Sequence, residues 1–276
     1  MLSKVRPILS LPSDDRNVRI KQGFRNRAHE SVSKALYSSI GYWLNKRRGH
    51  YLIDYRPDFH YDFNRCPDYA LLLQGWLANN RQVNCGDLAR FYTIYLNVNQ
   101  VLEDGIPGDF VELGVYKGNS ASLLARLGQR QNRHLYLFDT FSGFDERDLG
   151  DSESRHPTGF ADTSLAAVQK LVGTDGVTYA PGFFPESALQ ITMPAQIAVA
   201  HIDCDLYAPM RAGLEWFYPR LSPGGILLLH DYSSGHWPGA KRAVDEFFGA
   251  LPEKPVLAAD KCGTAIIRKM TKANPL

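Results

Sequence analysis

Apolar positions change rhythm near residue 108. Ahead of it they recur at helical spacing. Val32, Leu36, Ile40, Trp43 and Leu44 form one stripe, with stop signals in Lys46, Arg47, Arg48 and Gly49. Residues 54–67, rich in Pro, Asp, Tyr and His, read as a loop. Leu72, Leu73, Trp76 and Leu77 mark a second helix; Leu88, Phe91, Tyr95, Val98 and Leu102 mark a third, with Asp87 at its N-cap. From Asp109 onward, strand-sized apolar runs at 110–113, 135–138, 177–180, 197–202 and 226–229 alternate with helical patterns at 120–127, 164–172 and 209–221. A helix over 240–251 then precedes two short strand candidates, 256–258 and 264–268. Buried runs alternating with amphipathic helices predict an α/β fold, a doubly wound, mostly parallel sheet covered on both faces. The expected organisation is a basic leader and helical extension over 1–107, then a ligand-binding α/β domain over 108–276.

Composition adds limits. With 276 residues, 44% of them hydrophobic and 22% charged, there is apolar material for one sizeable core. A net charge of +2 is too mild to imply nucleic acid as a partner. Arg16, Arg19, Lys21, Arg25 and Arg27 read as a solvated leader or a homo-oligomer contact, with a nucleic-acid arm as the alternative. Cys66, Cys85, Cys204 and Cys262 contain no CxxC pair, which fits a reduced, cytoplasmic setting better than a disulfide framework. No apolar run has the length of a signal peptide core or a membrane span, so no membrane partner is expected.

Doubly wound sheets bind ligands beyond the carboxyl ends of their strands, and polar residues gather at those ends here. Glu112-Leu-Gly114-Val-Tyr-Lys-Gly118-Asn-Ser120 sits where the first strand turns into its helix. Gly114 permits a tight turn, and Gly118 is expected to let the backbone approach a ligand. The G-x-x-x-G spacing is not the dinucleotide fingerprint, and a simple strand-to-helix turn would account for it equally well. Asp139 ends the second strand about 20 residues further on, where such folds place the carboxylate that grips ribose hydroxyls. Its alternative role is a helix N-cap, since Thr140 and Ser142 follow. Leu221-Ser-Pro223-Gly224-Gly225 punctuates the entry to the fifth strand.

The segments GDFVELGVYKGNSA, FDTFSGF, GFFPESAL, HIDCDLYAP, LSPGGILLLHDY and PGAKRAVDEFF follow one another over residues 108–251. Together they resemble the macrocin O-methyltransferase family. That resemblance implies a class I, S-adenosylmethionine-dependent methyltransferase acting on a sugar hydroxyl of a natural product, with a divalent metal. It implies the cofactor role at Glu112, Gly114 and Asp139, within a candidate cofactor loop that also takes in Gly118 and Ser120, with Asp203 and Asp231 as metal ligands and Asp205 as the base. His230 stands where the family usually has a second aspartate. As a ligand it would make the site mixed, admitting a softer ion beside magnesium or manganese.

The chemistry of the residues agrees with that picture. Asp203-Cys-Asp205-Leu-Tyr207 falls just past the fourth strand and His230-Asp231-Tyr232 just past the fifth. Three converging carboxylates are costly unless they hold a cation or share protons. A sugar hydroxyl is a poor nucleophile at neutral pH; a metal lowers its pKa, and a carboxylate can take its proton. Capping of helices by Asp203 and Asp231 is the structural alternative. His201 reads as a satisfied sheet histidine. Tyr207, His236 and Trp237 are substrate candidates, Trp237 either stacking on a sugar or anchoring its own loop. Residues 145–162 read as a lid or a disordered stretch. Two other functions compete: a nicotinamide-dependent oxidoreductase, disfavoured by the glycine spacing, and a non-catalytic nucleotide- or glycan-binding module, disfavoured by the acidic cluster.

Overall fold

Strand order explains where a ligand can sit. The computed structural model describes residues 68–81, 86–149 and 159–270. The expected helix over 32–44, the loop at 54–67, Cys66, Cys85 and the middle of the 145–162 segment lie outside the described residues.

Strands β1 (Asp109–Leu113), β2 (Leu135–Asp139), β3 (Val177–Pro181), β4 (Ile197–Ile202), β5 (Leu221–Leu229), β6 (Val256–Leu257) and β7 (Ala265–Arg268) form one seven-stranded sheet in the order β3-β2-β1-β4-β5-β7-β6. β1 to β5 run parallel, and β7 is antiparallel to both β5 and β6. This is the doubly wound, Rossmann-like sheet the sequence predicts. Every residue of β4 is buried, as expected of a central strand covered on both faces. The order reverses between β1 and β4, so these strands part at their carboxyl ends and open a crevice there.

The helices are α1 (Tyr69–Asn79), α2 (Leu88–Glu103), α3 (Asn119–Gln129), α4 (Leu165–Val172), α5 (Tyr207–Phe217) and α6 (Pro238–Phe248). In α2, Phe91, Ile94, Tyr95, Val98, Val101 and Leu102 are buried, an i, i+3, i+4 stripe that packs on β4 and β5. α1 buries Leu72 and Trp76, while Leu77, expected in its stripe, is 38% exposed. Ser164 caps α4 by accepting from the Ala167 N–H at 3.3 Å. Asp87 occupies the N-cap position of α2 but makes no capping bond; its φ of 49° turns the carboxylate elsewhere.

Two boundaries differ most from expectation. The helix expected over 209–221 ends at Phe217, because Pro219 offers no N–H to continue it and Tyr218–Arg220 tightens into a 3-10 turn. β5 starts at Leu221 rather than 226. Its register against β4 shifts between Ile197 and Val199, and that irregularity absorbs the Pro223-Gly224-Gly225 stretch.

Candidate active site

Register assembles the site. Leu113 pairs with Phe138 on one side and Ile202 on the other, and Ile202 pairs with Leu229. The residues that follow, Asp139, Gly114, Asp203 and His230, therefore form the next row across β2, β1, β4 and β5. A cavity of about 340 Å³ opens over this row, within the roughly 300–1,000 Å³ range of small-molecule sites. Gly114, Asp139, Asp203, Asp205, His230, Asp231 and Trp237 line it. Glu112, Gly118, Ser120, Tyr207 and His236 are not among its lining residues.

On the cofactor side, Asp139 holds the glycine loop. Its Oδ2 accepts from the N–H groups of Val115 at 2.6 Å and Tyr116 at 2.9 Å, and its Oδ1 accepts from Phe141 N–H at 2.6 Å. Gly114, at φ 85°, must lack a side chain because a Cβ would come within 2.1 Å of the Asp203 carbonyl oxygen. The crowding at Gly118, φ 82°, comes from elsewhere: a Cβ would meet Val168 and Val172 of α4 at 3.0 and 3.1 Å. Its missing side chain admits a helix rather than the cavity. Glu112 lies beneath the loop, fully buried, and its Oε1 accepts from Ser120 Oγ at 2.5 Å and His201 Nδ1 at 2.8 Å. Glu112 and His201 are register partners on β1 and β4, which satisfies His201 within the sheet.

The acidic side carries unbalanced groups. Arg90, reaching in from α2, donates to Asp203 Oδ2 and lies 3.4 Å from His201 Nε2. His230 Nδ1 donates to Asp203 Oδ1 at 2.8 Å and Asp231 Oδ2 at 2.7 Å, while its Nε2 is buried without a hydrogen-bond partner. Eight described non-glycine residues have positive φ; six of them, Asp87, Tyr116, Phe160, Asp205, Asp231 and Cys262, line this cavity. Such conformations are costly and gather where function over-determines the backbone.

These contacts set the charges. Burial disfavours an ionised Asp203, yet Arg90 and His230 outweigh it and hold this carboxyl well below the usual carboxylate range. Burial, then the charges of Asp203 and Asp231, push Asp205 well above it. His230 is lowered by burial and Arg90, but Asp203 and Asp231 prevail and raise it to about 10.

Among the substrate candidates, Trp237 is 8% exposed and packs edge-on against Phe144, with ring centroids 5.6 Å apart. Phe160 lies 5.2 Å from Phe144 and 5.0 Å from Tyr116, completing an aromatic wall of the cavity. His236 is exposed and packs on Trp237. Tyr207 donates to Glu246 of α6 at 2.6 Å, and Arg242 lies over its ring. Sequence reading missed Arg90, the liganding potential of Asp87, and Lys261 and Cys262 on the loop before β7. No local signal marks Arg90, whose partner lies 113 positions away.

One atom each of Asp203, His230 and Asp231 falls within 4.8 Å of the others, close enough to hold one metal ion. The His230 ring and the two carboxylates fit a divalent ion that accepts mixed nitrogen and oxygen ligands. Arg90 already engages Asp203, so such an ion would compete with a guanidinium for that carboxylate. Among the described residues, no helix is long and apolar enough to cross a membrane.

Comparison with known proteins agrees with this geometry. The chain is 32% identical over 231 residues to 8-demethyl-8-(2,3-dimethoxy-alpha-L-rhamnosyl)-tetracenomycin-C 4'-O-methyltransferase of Streptomyces olivaceus, covering 78% of this chain and 85% of that protein. It is 32% identical over 170 residues to Mycinamicin III 3''-O-methyltransferase of Micromonospora griseorubida, covering 54% of this chain and 64% of that enzyme, under two thirds of its length. The solved structure of the O-methyltransferase NovP shares the fold, with a TM-score of 0.59 and 23% identity over 68% of this chain and 82% of that one. Residues 86–266, more than half of the chain, match the profile described as Macrocin-O-methyltransferase (TylF). The chain belongs to the macrocin-O-methyltransferase family.

Proposed function

We propose that the chain is an S-adenosylmethionine-dependent O-methyltransferase whose acceptor is a sugar hydroxyl in a glycoside or secondary metabolite. One observation supports this best. A single cavity at the switch point of the sheet joins the Gly114 loop and Asp139 to the Asp203, Asp205, His230 and Asp231 cluster. Both named relatives are O-methyltransferases, one of mycinamicin III and one of a rhamnosylated tetracenomycin. Family membership favours transfer chemistry over a nicotinamide-dependent oxidoreductase or a passive binding module.

Asp139 and the Gly114 loop hold the cofactor in this reading. S-adenosylmethionine supplies, when bound, an electrophilic methyl on a sulfonium sulfur; a divalent ion supplies, when bound, a lowered pKa for the acceptor hydroxyl. Asp203, His230 and Asp231 would hold that ion. Asp205 takes the acceptor proton as the C–S bond breaks and the C–O bond forms, which needs the two reacting atoms aligned. Trp237, Phe144 and Phe160 exclude water from the acceptor side and offer it an aromatic face. The free thiols Cys204 and Cys262 suit a cytoplasmic setting.

The test is methyl transfer from labelled cofactor to a panel of glycosides, with and without chelator. Label should appear in an ether-linked methyl on a glycoside and decline with chelation. Absence of transfer to every hydroxyl acceptor, with a rise in melting temperature on adding NAD, would overturn the reading.

A further inference from the structure

Among the described residues, three buried polar atoms without a hydrogen-bond partner belong to side chains that line this cavity: Asp87 Oδ1, Arg90 Nε and His230 Nε2. Buried polar atoms left unmatched cost stability, and a cluster of them at a cavity marks groups kept for a ligand. Asp87 is only 5% exposed. It holds a left-handed backbone at the start of α2, yet it does not cap that helix. Its carboxylate is therefore spared from the task its position suggests. Arg90 follows three residues later, in the first turn of α2, and lines the same cavity. One terminal nitrogen of Arg90 is committed to Asp203, and Nε remains.

The chemistry of this pair narrows the ligand. A carboxylate oxygen accepts and a guanidinium N–H donates. Neighbouring hydroxyls, each both donor and acceptor, complement that set. An anionic ligand does not, because Asp87 would repel it and Asp203 already balances Arg90. Lys261 lines the same cavity from the loop before β7.

We propose that Asp87 and Arg90 form a recognition subsite for a second hydroxyl of the acceptor, adjacent to the one methylated, so that the substrate class is a sugar with a free vicinal diol. The proposal rests on the methyltransferase reading only for which hydroxyl receives the methyl group. It separates this wall, carried by the start of α2, from the loop after β1 assigned to the cofactor.

Binding of methyl α-L-rhamnopyranoside and its monodeoxy analogues to the S-adenosylhomocysteine-loaded protein tests it, measured by NMR titration for wild type, Asp87→Asn and Asp87→Ala. Asparagine tolerates the left-handed backbone, so Asp87→Asn should keep the fold. Wild type should bind the parent glycoside about 10-fold or more tightly than the analogue lacking the second hydroxyl, the scale of one hydrogen bond to a charged group. Both variants should lose that discrimination, while S-adenosylhomocysteine affinity stays within about two-fold of wild type. Equal discrimination in Asp87→Asn, no discrimination in wild type, or no binding of any of these glycosides each overturns the subsite. Methyl transfer to a phenol without any glycoside binding would spare the methyltransferase reading and sink the subsite. Asp87-dependent diol binding without binding of S-adenosylhomocysteine or methyl transfer would do the reverse.

Discussion

On the β1–β2 side of the cavity, both carboxylate oxygens of Asp139 accept backbone N–H groups of the loops they organise. On the β4–β5 side, Asp205 and Asp231 sit in left-handed conformations, and His230, Arg90 and Asp87 keep atoms without partners. At the first wall the Asp139 carboxylate is engaged by backbone N–H groups that few side chains could replace, while beneath the loop one Glu112 oxygen is buried without a partner. The second wall is held by ion pairs and leaves hydrogen-bonding capacity open. A cofactor common to a family suits a loop whose shape is set by its own backbone. Acceptors that differ between relatives suit a wall whose last bonds come from the ligand.

Gly114 is where the two walls meet, so it gives the largest expected effect. Gly114→Ala would drive a Cβ into the Asp203 carbonyl at a φ that alanine avoids. Backbone rather than a flexible side chain would have to yield, and a loss of about 3 kcal/mol or more is expected. Gly118→Ala faces Val168 and Val172, which can shift, so about 1–2 kcal/mol is expected from its left-handed backbone. Denaturant unfolding of the two variants checks the order. Equal losses would show that the walls do not depend on each other through Gly114.

Asp205→Asn separates chemistry from binding. Turnover should fall about 100-fold or more, the scale of a lost general base, with S-adenosylhomocysteine affinity retained. Full turnover would move the base elsewhere.

Arg90→Gln tests how the second wall balances its charge. Asp203 would lose its guanidinium partner and become available to a cation, so manganese affinity should rise about 10-fold. His230→Asp should shift ion preference toward magnesium, because the ligand set becomes all oxygen. Calorimetric titration with each ion measures both. Unchanged affinity and ranking in both variants would mean that Asp203, His230 and Asp231 hold no metal, leaving Arg90 as the permanent counter-charge.

Much of the sheet was legible because each parallel strand is buried on two faces and so reads as a continuous apolar run. The acids at strand ends were legible for the same reason: Asp139, Asp203 and Asp231 are abrupt polar residues after such runs. Register then joins those ends into one row, which one-dimensional patterning only suggests. Arg90 was not legible, since its role comes from how α2 docks near the end of β4. Asp87 reads as an N-cap in sequence, and only its backbone conformation shows that the carboxylate is not used so. Gly118 carries the motif spacing, but its crowding comes from α4, fifty residues on.

Tyr207 gives the smallest expected effect and sharpens the boundary of the acceptor wall. Its place in Asp203-Cys-Asp205-Leu-Tyr207 suggests a substrate contact, as the next aromatic after two acids. In the fold it is the first residue of α5. The chain has already turned away from the strand end at Asp205, and the Tyr207 hydroxyl donates to Glu246 on α6. Arg242 covers its ring at 4.1 Å, so the side chain serves the α5–α6 contact. Tyr207→Phe removes one exposed hydrogen bond and keeps the ring. A stability change within about 0.5 kcal/mol is expected, with the acceptor KM unchanged. Trp237→Ala should instead raise that KM, since Trp237 belongs to the aromatic wall of the cavity. Steady-state kinetics on the two variants decides the matter: a KM that responds to Tyr207→Phe and ignores Trp237→Ala would place the acceptor on the α5 side, away from Asp87 and Arg90.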